Sequence, residues 1–269
     1  MQQNYGKCTT KHGVYIRNST ALHPLILCLY VDDLLVTGSN KVEIVEFKKR
    51  IMEEFEMTYL RVLSYFHGIK FAATKKGIFI DQKKYATDIL KRFNMTNCNS
   101  TTTPTETDLK LEKEGSEQLV DAILYKQIVR LLKCLCNSKP DLAYSVDLIR
   151  RFMKEPRTPQ LLATKRIRRY AKGTLDSGIL FPNDKMSVEA EMFGYSDSDW
   201  CGDKYDQKST TWYVFMFGKA LISWCSKKQG VVAFVFMLCR IYCYIYGSLS
   251  SCMAGNLIRG VKSKKTLNQ

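Results

Sequence analysis

Acidic residues are missing from two long stretches of this 269-residue chain: none occurs among the 29 residues before Tyr30, and none from position 207 to 269. Histidine is also scarce. The three present (His12, His23 and His67) are not spaced with any cysteine as zinc ligands are. The ten cysteines include no C-x-x-C; one residue separates Cys134 from Cys136, and Cys239 and Cys243 are four apart. This spacing excludes a zinc framework and a disulfide scaffold, and leaves free, mostly buried thiols in a reducing compartment as the expectation. The opening MQQNYGKCTTKHG lacks the apolar core of a signal peptide, so a cytoplasmic or nuclear location is expected.

What remains is ordinary in hydrophobicity, with 45% apolar and 25% charged residues, and long enough for one large or two modest cores. The charge balance is not ordinary. Lys and Arg number 41 against 26 Asp and Glu, a net charge of +15. Such an excess favours a polyanionic partner through phosphate neutralisation and counterion release. A basic surface kept for solubility is the alternative.

The most informative stretch is LILCLYVDDLLVTGS at 25–39. Branched apolar runs on both sides of a polar pair read as a hairpin, with Asp32 and Asp33 at its bend. Paired carboxylates lifted out of an apolar sheet suit a hard divalent cation such as magnesium, although Asp-Asp turns are also common without one. Successive strand side chains alternate in direction, so at most one of the two faces a given site squarely. The string YVDD in this frame, followed by TGS, closely resembles the catalytic hairpin of reverse transcriptases from copia-type LTR retrotransposons. The resemblance implies Asp32 as a metal ligand of the polymerase site, Asp33 as its neighbour, and magnesium as cofactor.

Upstream, 11–20 (KHGVYIRNST) suit a strand pairing with the one that leads to Tyr30. After the hairpin, Val42, Val45, Ile51, Met52 and Phe55 fall near helical spacing, with Asn40 placed to cap an amphipathic helix under the sheet. Two short strands bent at 74–77 and a helix over 82–93 follow. YFHGIKF and QKKYATDILKRFNM resemble the family's primer-gripping hairpin and the start of its thumb. His67 stands where the family usually has Leu, and Tyr59-Leu60-Arg61 replaces an Asp-Leu-Gly turn, losing a residue tolerant of positive φ.

The polar stretch 97–118, with Pro104 and Gly115, reads as a linker or surface loop. Helices are expected over 120–137, 140–153 and 159–172, with Pro140 and Pro159 in first turns. The strings YKQIV, SKPDLAYSV and KRIRRYAKGTLDSGILF resemble the family's thumb and connection, with Arg130 replacing a usual Gly. The last of these crowds Lys165, Arg166, Arg168, Arg169 and Lys172 onto about two turns around Tyr170. That is a candidate nucleic-acid face, or else a solvated basic one.

The final third opens on strand-like MFGYSDSDWCGD, where Asp197 and Asp199 share a face if extended. Further strands are expected at 213–217, 221–225 and 231–234. A strand meander with acids on its first strand resembles the ribonuclease H domain that ends copia polyproteins. Asp197 matches that family's first metal-binding Asp, and Lys227 and Lys228 are further candidates for nucleic-acid contact.

The fold expected is α+β: a partial palm with its primer-grip hairpin and thumb start (1–96), a linker (97–118), a helical thumb or connection (119–176) and a degenerate ribonuclease H-like α/β domain (177–269). Both implied active sites are incomplete. Two-metal phosphoryl chemistry needs several carboxylates around cations about 4 Å apart. The family's upstream polymerase Asp has no counterpart before Tyr30, and its ribonuclease H Glu has none after position 206. The expected molecule is a catalytically inactive relative of an RNA-directed DNA polymerase with ribonuclease H; the alternative is a non-enzymatic remnant that binds RNA, DNA or their hybrid. No small-molecule substrate is implied. From 230 to 258 only Arg240 is charged, which admits a tail membrane anchor as a minor alternative to a buried or aggregation-prone segment.

Overall fold

The computed structural model describes residues 5–8, 12–18, 24–60, 64–66, 68–107, 109, 111–112, 115–183, 192–199, 201–203 and 205–232. They fall into two compact units, one up to residue 60 and one from residue 64 onward. The apolar tail and any membrane anchor within it lie outside the described residues. Among those described, no helix is long and apolar enough to cross a membrane.

The first unit is an antiparallel sheet of four strands in sequence order: β1 (Tyr5–Lys7), β2 (Val14–Asn18), β3 (Pro24–Tyr30) and β4 (Asp33–Gly38). The expected pairing of β2 with β3 is present, with Val14 opposite Cys28 and Arg17 opposite Leu25. Gly13 enters β2 at φ +79, and a Cβ there would lie 2.5 Å from the Leu29 carbonyl, so only glycine fits. Helix α1 (Lys41–Glu54) follows, and the Asn40 side chain caps it by accepting the Val42 N–H at 3.0 Å.

The face that α1 buries differs from the expected one. Phe47 is buried with Leu25 and Leu27, and Ile44 and Ile51 pack beside them. Burying each of these large side chains contributes on the order of 1.5–3 kcal/mol. Val42 and Val45 remain 65% and 64% exposed, and Met52 and Phe55 are exposed as well. The helix carries two apolar stripes, and spacing alone does not say which one meets the sheet.

The second unit begins with β5 (Tyr65–Phe66), β6 (Ile69–Thr74) and β7 (Gly77–Asp81), then α2 (Lys83–Arg92). Three helices follow the 97–118 stretch: α3 (Ala122–Leu135), α4 (Ala143–Arg150) and α5 (Thr158–Gly173). Pro140 opens a separate 3-10 turn, Pro140–Leu142, so the single helix expected there is broken into two pieces. Strand β8 (Ile179–Pro182) returns to pair with β7, giving a sheet ordered β5-β6-β7-β8. Gly77 sits at φ +144 in that sheet, and a Cβ would meet the Phe181 carbonyl at 2.0 Å. The core lies among α2 to α5, with Tyr125, Ile128, Leu132, Leu142, Ile149 and Ile167 almost fully buried. The Tyr125 hydroxyl donates to the Ile149 carbonyl at 2.8 Å, and burial pushes its pKa up.

The last described elements are β9 (Met192–Ser198), β10 (Thr210–Phe217) and β11 (Ala220–Lys228), an antiparallel meander ordered β11-β10-β9. Val231 and Val232 are not extended into a strand, and the rest of that expected strand lies outside the described residues. All seven described cysteines are free thiols. Of these only Cys136 is buried and Cys134 is exposed, which corrects the expectation of mostly buried thiols. Burial pushes the Cys136 thiol up to about 12. The architecture is mixed α+β, as expected at that level.

Candidate functional site

The hairpin bend in the first unit consists of Val31 and Asp32, because Tyr30 pairs directly with Asp33. Two-residue connections between antiparallel strands require left-handed backbone, and Val31 sits at φ +50. That is an unfavourable conformation for a β-branched residue, costing roughly 1–2 kcal/mol. Val31 is 77% exposed, so apolar burial does not offset the strain. Asp32 and Asp33 are both exposed at the tip. Strain concentrated beside paired exposed carboxylates is a common mark of a functional turn.

In the second unit, Asp197 lies near the end of β9, opposite Trp212 of β10. It lines a cavity of ≈ 620 Å³ whose walls include Tyr144, Trp212, Trp224, Asp141 and Asp199. The Trp224 indole N–H donates to the Cys136 carbonyl at 2.7 Å, fixing one aromatic wall. The Tyr170 hydroxyl donates to Asp141 at 2.6 Å. Burial, and then that bond, push the tyrosine up to about 12.

Asp199 and Asp203 do not join Asp197 in a ligand set. Strand β9 ends at Ser198, and the Asp199 carboxylate accepts the Thr210 N–H instead. Its burial raises its pKa. Asp203 accepts from Lys228 and lies 3.7 Å from Arg151; Lys228 also reaches Asp206 at 2.7 Å. Burial opposes ionisation of Asp203, but the Lys228 hydrogen bond and charge, together with backbone N–H bonds from Tyr205 and Asp206, outweigh it and hold the carboxyl below the usual range. Among the described residues, no three His, Cys, Asp or Glu side chains gather to hold a metal ion. Magnesium bound through one or two carboxylates plus water is compatible with Asp32 and Asp33. The donor set of a two-metal centre does not fit either location.

The structure engages most of the basic cluster on α5 internally. Arg166 donates to Glu106 at 2.8 Å and to Thr103 at 3.0 Å, and Arg169 to the Asn99 carbonyl at 2.7 Å. Lys172 donates to the Cys98 carbonyl. Arg168 is only 6% exposed, lies 4.8 Å over the Phe93 ring and bonds to Thr164; burial lowers its pKa to about 10. These contacts strap the 97–118 stretch along α5. Lys165 is exposed, as is Lys227 on β11, while Lys228 is committed to the two aspartates. Periodicity placed the cations on one helix correctly but could not reveal that a polar segment seventy residues away had already claimed them.

Residues 1–107 match the family model described as reverse transcriptase (RNA-dependent DNA polymerase). A Retrovirus-related Pol polyprotein from transposon RE1 of Arabidopsis thaliana is 36% identical over 77% of this chain and 14% of its own length. The chain belongs to the reverse transcriptase family of copia-type retrotransposon Pol polyproteins. The Pol polyprotein from transposon TNT 1-94 of Nicotiana tabacum is 32% identical over 86% of the chain and 18% of its own length. An uncharacterized mitochondrial protein of Arabidopsis thaliana is 34% identical over 78% of the chain and 85% of its own length. The copia-type chain described here thus spans about one seventh of the RE1 polyprotein it matches. No solved structure matches it.

Proposed function

We propose that this copia-type chain descends from the polymerase and ribonuclease H portion of such a polyprotein and binds nucleic acid without polymerising or degrading it. The observation that carries the lineage is the strained YVDD turn, with Val31 at φ +50 and both carboxylates at an exposed tip. By family resemblance Asp32 and Asp33 are the polymerase remnant, and 1–96, 97–118 and 119–176 are the palm end, linker and thumb. The strand Ile179–Pro182, from beyond those stretches, completes the β5–β7 sheet. The meander β9-β10-β11 supports a ribonuclease H-like reading of 177–269, with Asp197 on its first strand as the remnant metal ligand.

Loss of chemistry is supported by the donor inventory. Among the described residues no three His, Cys, Asp or Glu side chains gather to hold a metal ion, and Asp203 is paired with Lys228 and Arg151. Binding survives because it depends on the +15 charge rather than on ligand geometry. The test is an RNA–DNA hybrid incubated with the full chain and magnesium, read for both binding and cleavage. The expected result is salt-sensitive binding with the RNA strand intact. Cleavage abolished by Asp197→Asn overturns the loss of chemistry, and absence of binding at low salt overturns the binding role.

A further inference from the structure

Three cations without an ion pair or hydrogen bond among the described residues lie together on α3. Its inward face buries Tyr125, Ile128, Val129, Leu132 and Leu135, so the opposite face is turned to solvent. That face carries Lys126, Arg130 and Lys133, all exposed. None of the three makes an ion pair or hydrogen bond among the described residues. No Asp or Glu occurs between Asp121 and Asp141, and the Asp121 side chain is occupied as the cap of α3, accepting the Ile123 N–H at 2.7 Å. No acid on α3 itself compensates their charge, whereas on α5 Arg166 is paired with Glu106, Arg168 is buried, Arg169 and Lys172 are held on backbone carbonyls, and Lys165 alone of the cluster is exposed.

The spacing is regular. Positions four and seven residues on from Lys126 fall within an arc of about 60° on a helix of 3.6 residues per turn, and span about 10 Å at 1.5 Å per residue. One strand of a duplex presents a phosphate roughly every 3.4 Å along its axis, so a line of that length spans about three. The stripe continues sideways onto α2. Arg92, exposed at the end of α2, donates to Gln127 at 3.2 Å, and the Tyr85 hydroxyl reaches the Leu131 carbonyl at 3.4 Å. Lys91 is exposed beside Arg92. Where the family usually has Gly, this chain has Arg130 in the middle of the line.

We infer that the outward stripe of α3, extended by the last turn of α2, is the surface on which this chain meets the phosphate backbone of a nucleic-acid duplex. The inference rests on the binding role proposed above and relocates it from α5 to α3. A line of flexible cations on α3, with no acid between Asp121 and Asp141 and with Asp88 on α2 the acid nearest in sequence to Lys91 and Arg92, fits a polymer of evenly repeated charge and reads no sequence.

The test uses the full chain and a 20-base-pair RNA–DNA hybrid of arbitrary sequence, with binding measured across a salt series. Two variants are compared with the parent: Lys126→Gln/Arg130→Gln/Lys133→Gln on α3, and Arg166→Gln/Arg169→Gln/Lys172→Gln on α5. Far-ultraviolet circular dichroism and thermal melting check that each keeps the fold; all three α3 positions are exposed and tolerate Gln. The expected result is that the α3 variant flattens the slope of log affinity against log salt by about two to three units. The α5 variant is expected to lower the melting temperature and leave the slope within about one unit of the parent. A flattened slope in the α5 variant with an unchanged one in the α3 variant overturns the inference while leaving the binding role intact. No binding by the parent overturns the binding role itself. Stronger binding of the parent to anionic lipid vesicles than to the hybrid, lost in the α3 variant, overturns the choice of partner.

Discussion

Lys139 donates its ammonium to the backbone carbonyl of Thr174, the residue that ends α5, from a position 35 residues earlier in the chain. The same nitrogen reaches the Thr174 hydroxyl at 3.3 Å and the Ser177 carbonyl at 3.4 Å. Lys139 is 2% exposed, and all three of these acceptors are uncharged oxygens. A cation here satisfies carbonyls that the helix leaves without donors and complements the negative end of its dipole. The family-like strings SKPDLAYSV and KRIRRYAKGT are thus joined at two points, Lys139 with Thr174 and Asp141 with Tyr170.

Replacing Lys139 with Met removes those hydrogen bonds and leaves buried carbonyls unpaired, at a cost of roughly 1.5–3 kcal/mol. Burial lowers the pKa of Lys139 from its ordinary 10.5, so the unfolded chain binds the proton more tightly than the folded one. The lysine's contribution to stability therefore rises with pH in the interval below 10.5. Urea unfolding at several pH values is expected to show the parent's advantage over Lys139→Met widening across that interval. An advantage that shrinks would contradict the assignment.

Much of this architecture was legible in the chain. The hairpin at YVDD, the pairing of β2 with β3, the Asn40 cap and the strands around 74–77 all follow from apolar alternation and local capping chemistry. The unread features depend on partners distant in sequence. Strand β8 completes a sheet begun a hundred residues earlier, and α1 buries Phe47 rather than Val45 against Leu25 and Leu27 of the sheet. Strand β1 hides in a polar opening because its edge position needs only Tyr5 to face the core. The α5 cations look available until the 97–118 stretch is seen laid against them.

Val31 offers a test of the strained turn. Val31→Gly removes the clash of a branched Cβ at φ +50, and the exposed side chain forfeits little burial. Despite the greater backbone freedom of glycine when unfolded, stability is expected to rise by about 1 kcal/mol in chemical denaturation. A loss of similar size would show that the turn is not strained.

Asp199 and Asp203 lie four residues apart, yet their ionisation acts on stability with opposite signs. The pKa of Asp203 is depressed, so its contribution is complete above the ordinary value of 3.8 and is lost as pH falls through the lower folded value. Asp203→Asn is expected to cost roughly 1–3 kcal/mol at pH 7, with the difference from the parent shrinking below about pH 4. The pKa of Asp199 is raised by burial, so its contribution is present below 3.8 and lost as pH rises through the higher folded value. Asp199→Asn keeps an acceptor for the Thr210 N–H and is expected to leave stability at pH 7 unchanged or higher. Thermal melts of both variants at pH 3.5 and pH 7 check the pair; the same sign for both at neutral pH would contradict it.

The central claim is that the polymerase hairpin persists without its chemistry, and primer extension tests it most directly. The full chain is incubated with a primed RNA template, deoxynucleotides and magnesium, beside an Asp32→Ala variant. The account predicts no nucleotide incorporation above background by either protein, because among the described residues no third His, Cys, Asp or Glu gathers with Asp32 and Asp33 to complete a metal set. Template-dependent extension by the parent that disappears in Asp32→Ala would contradict it.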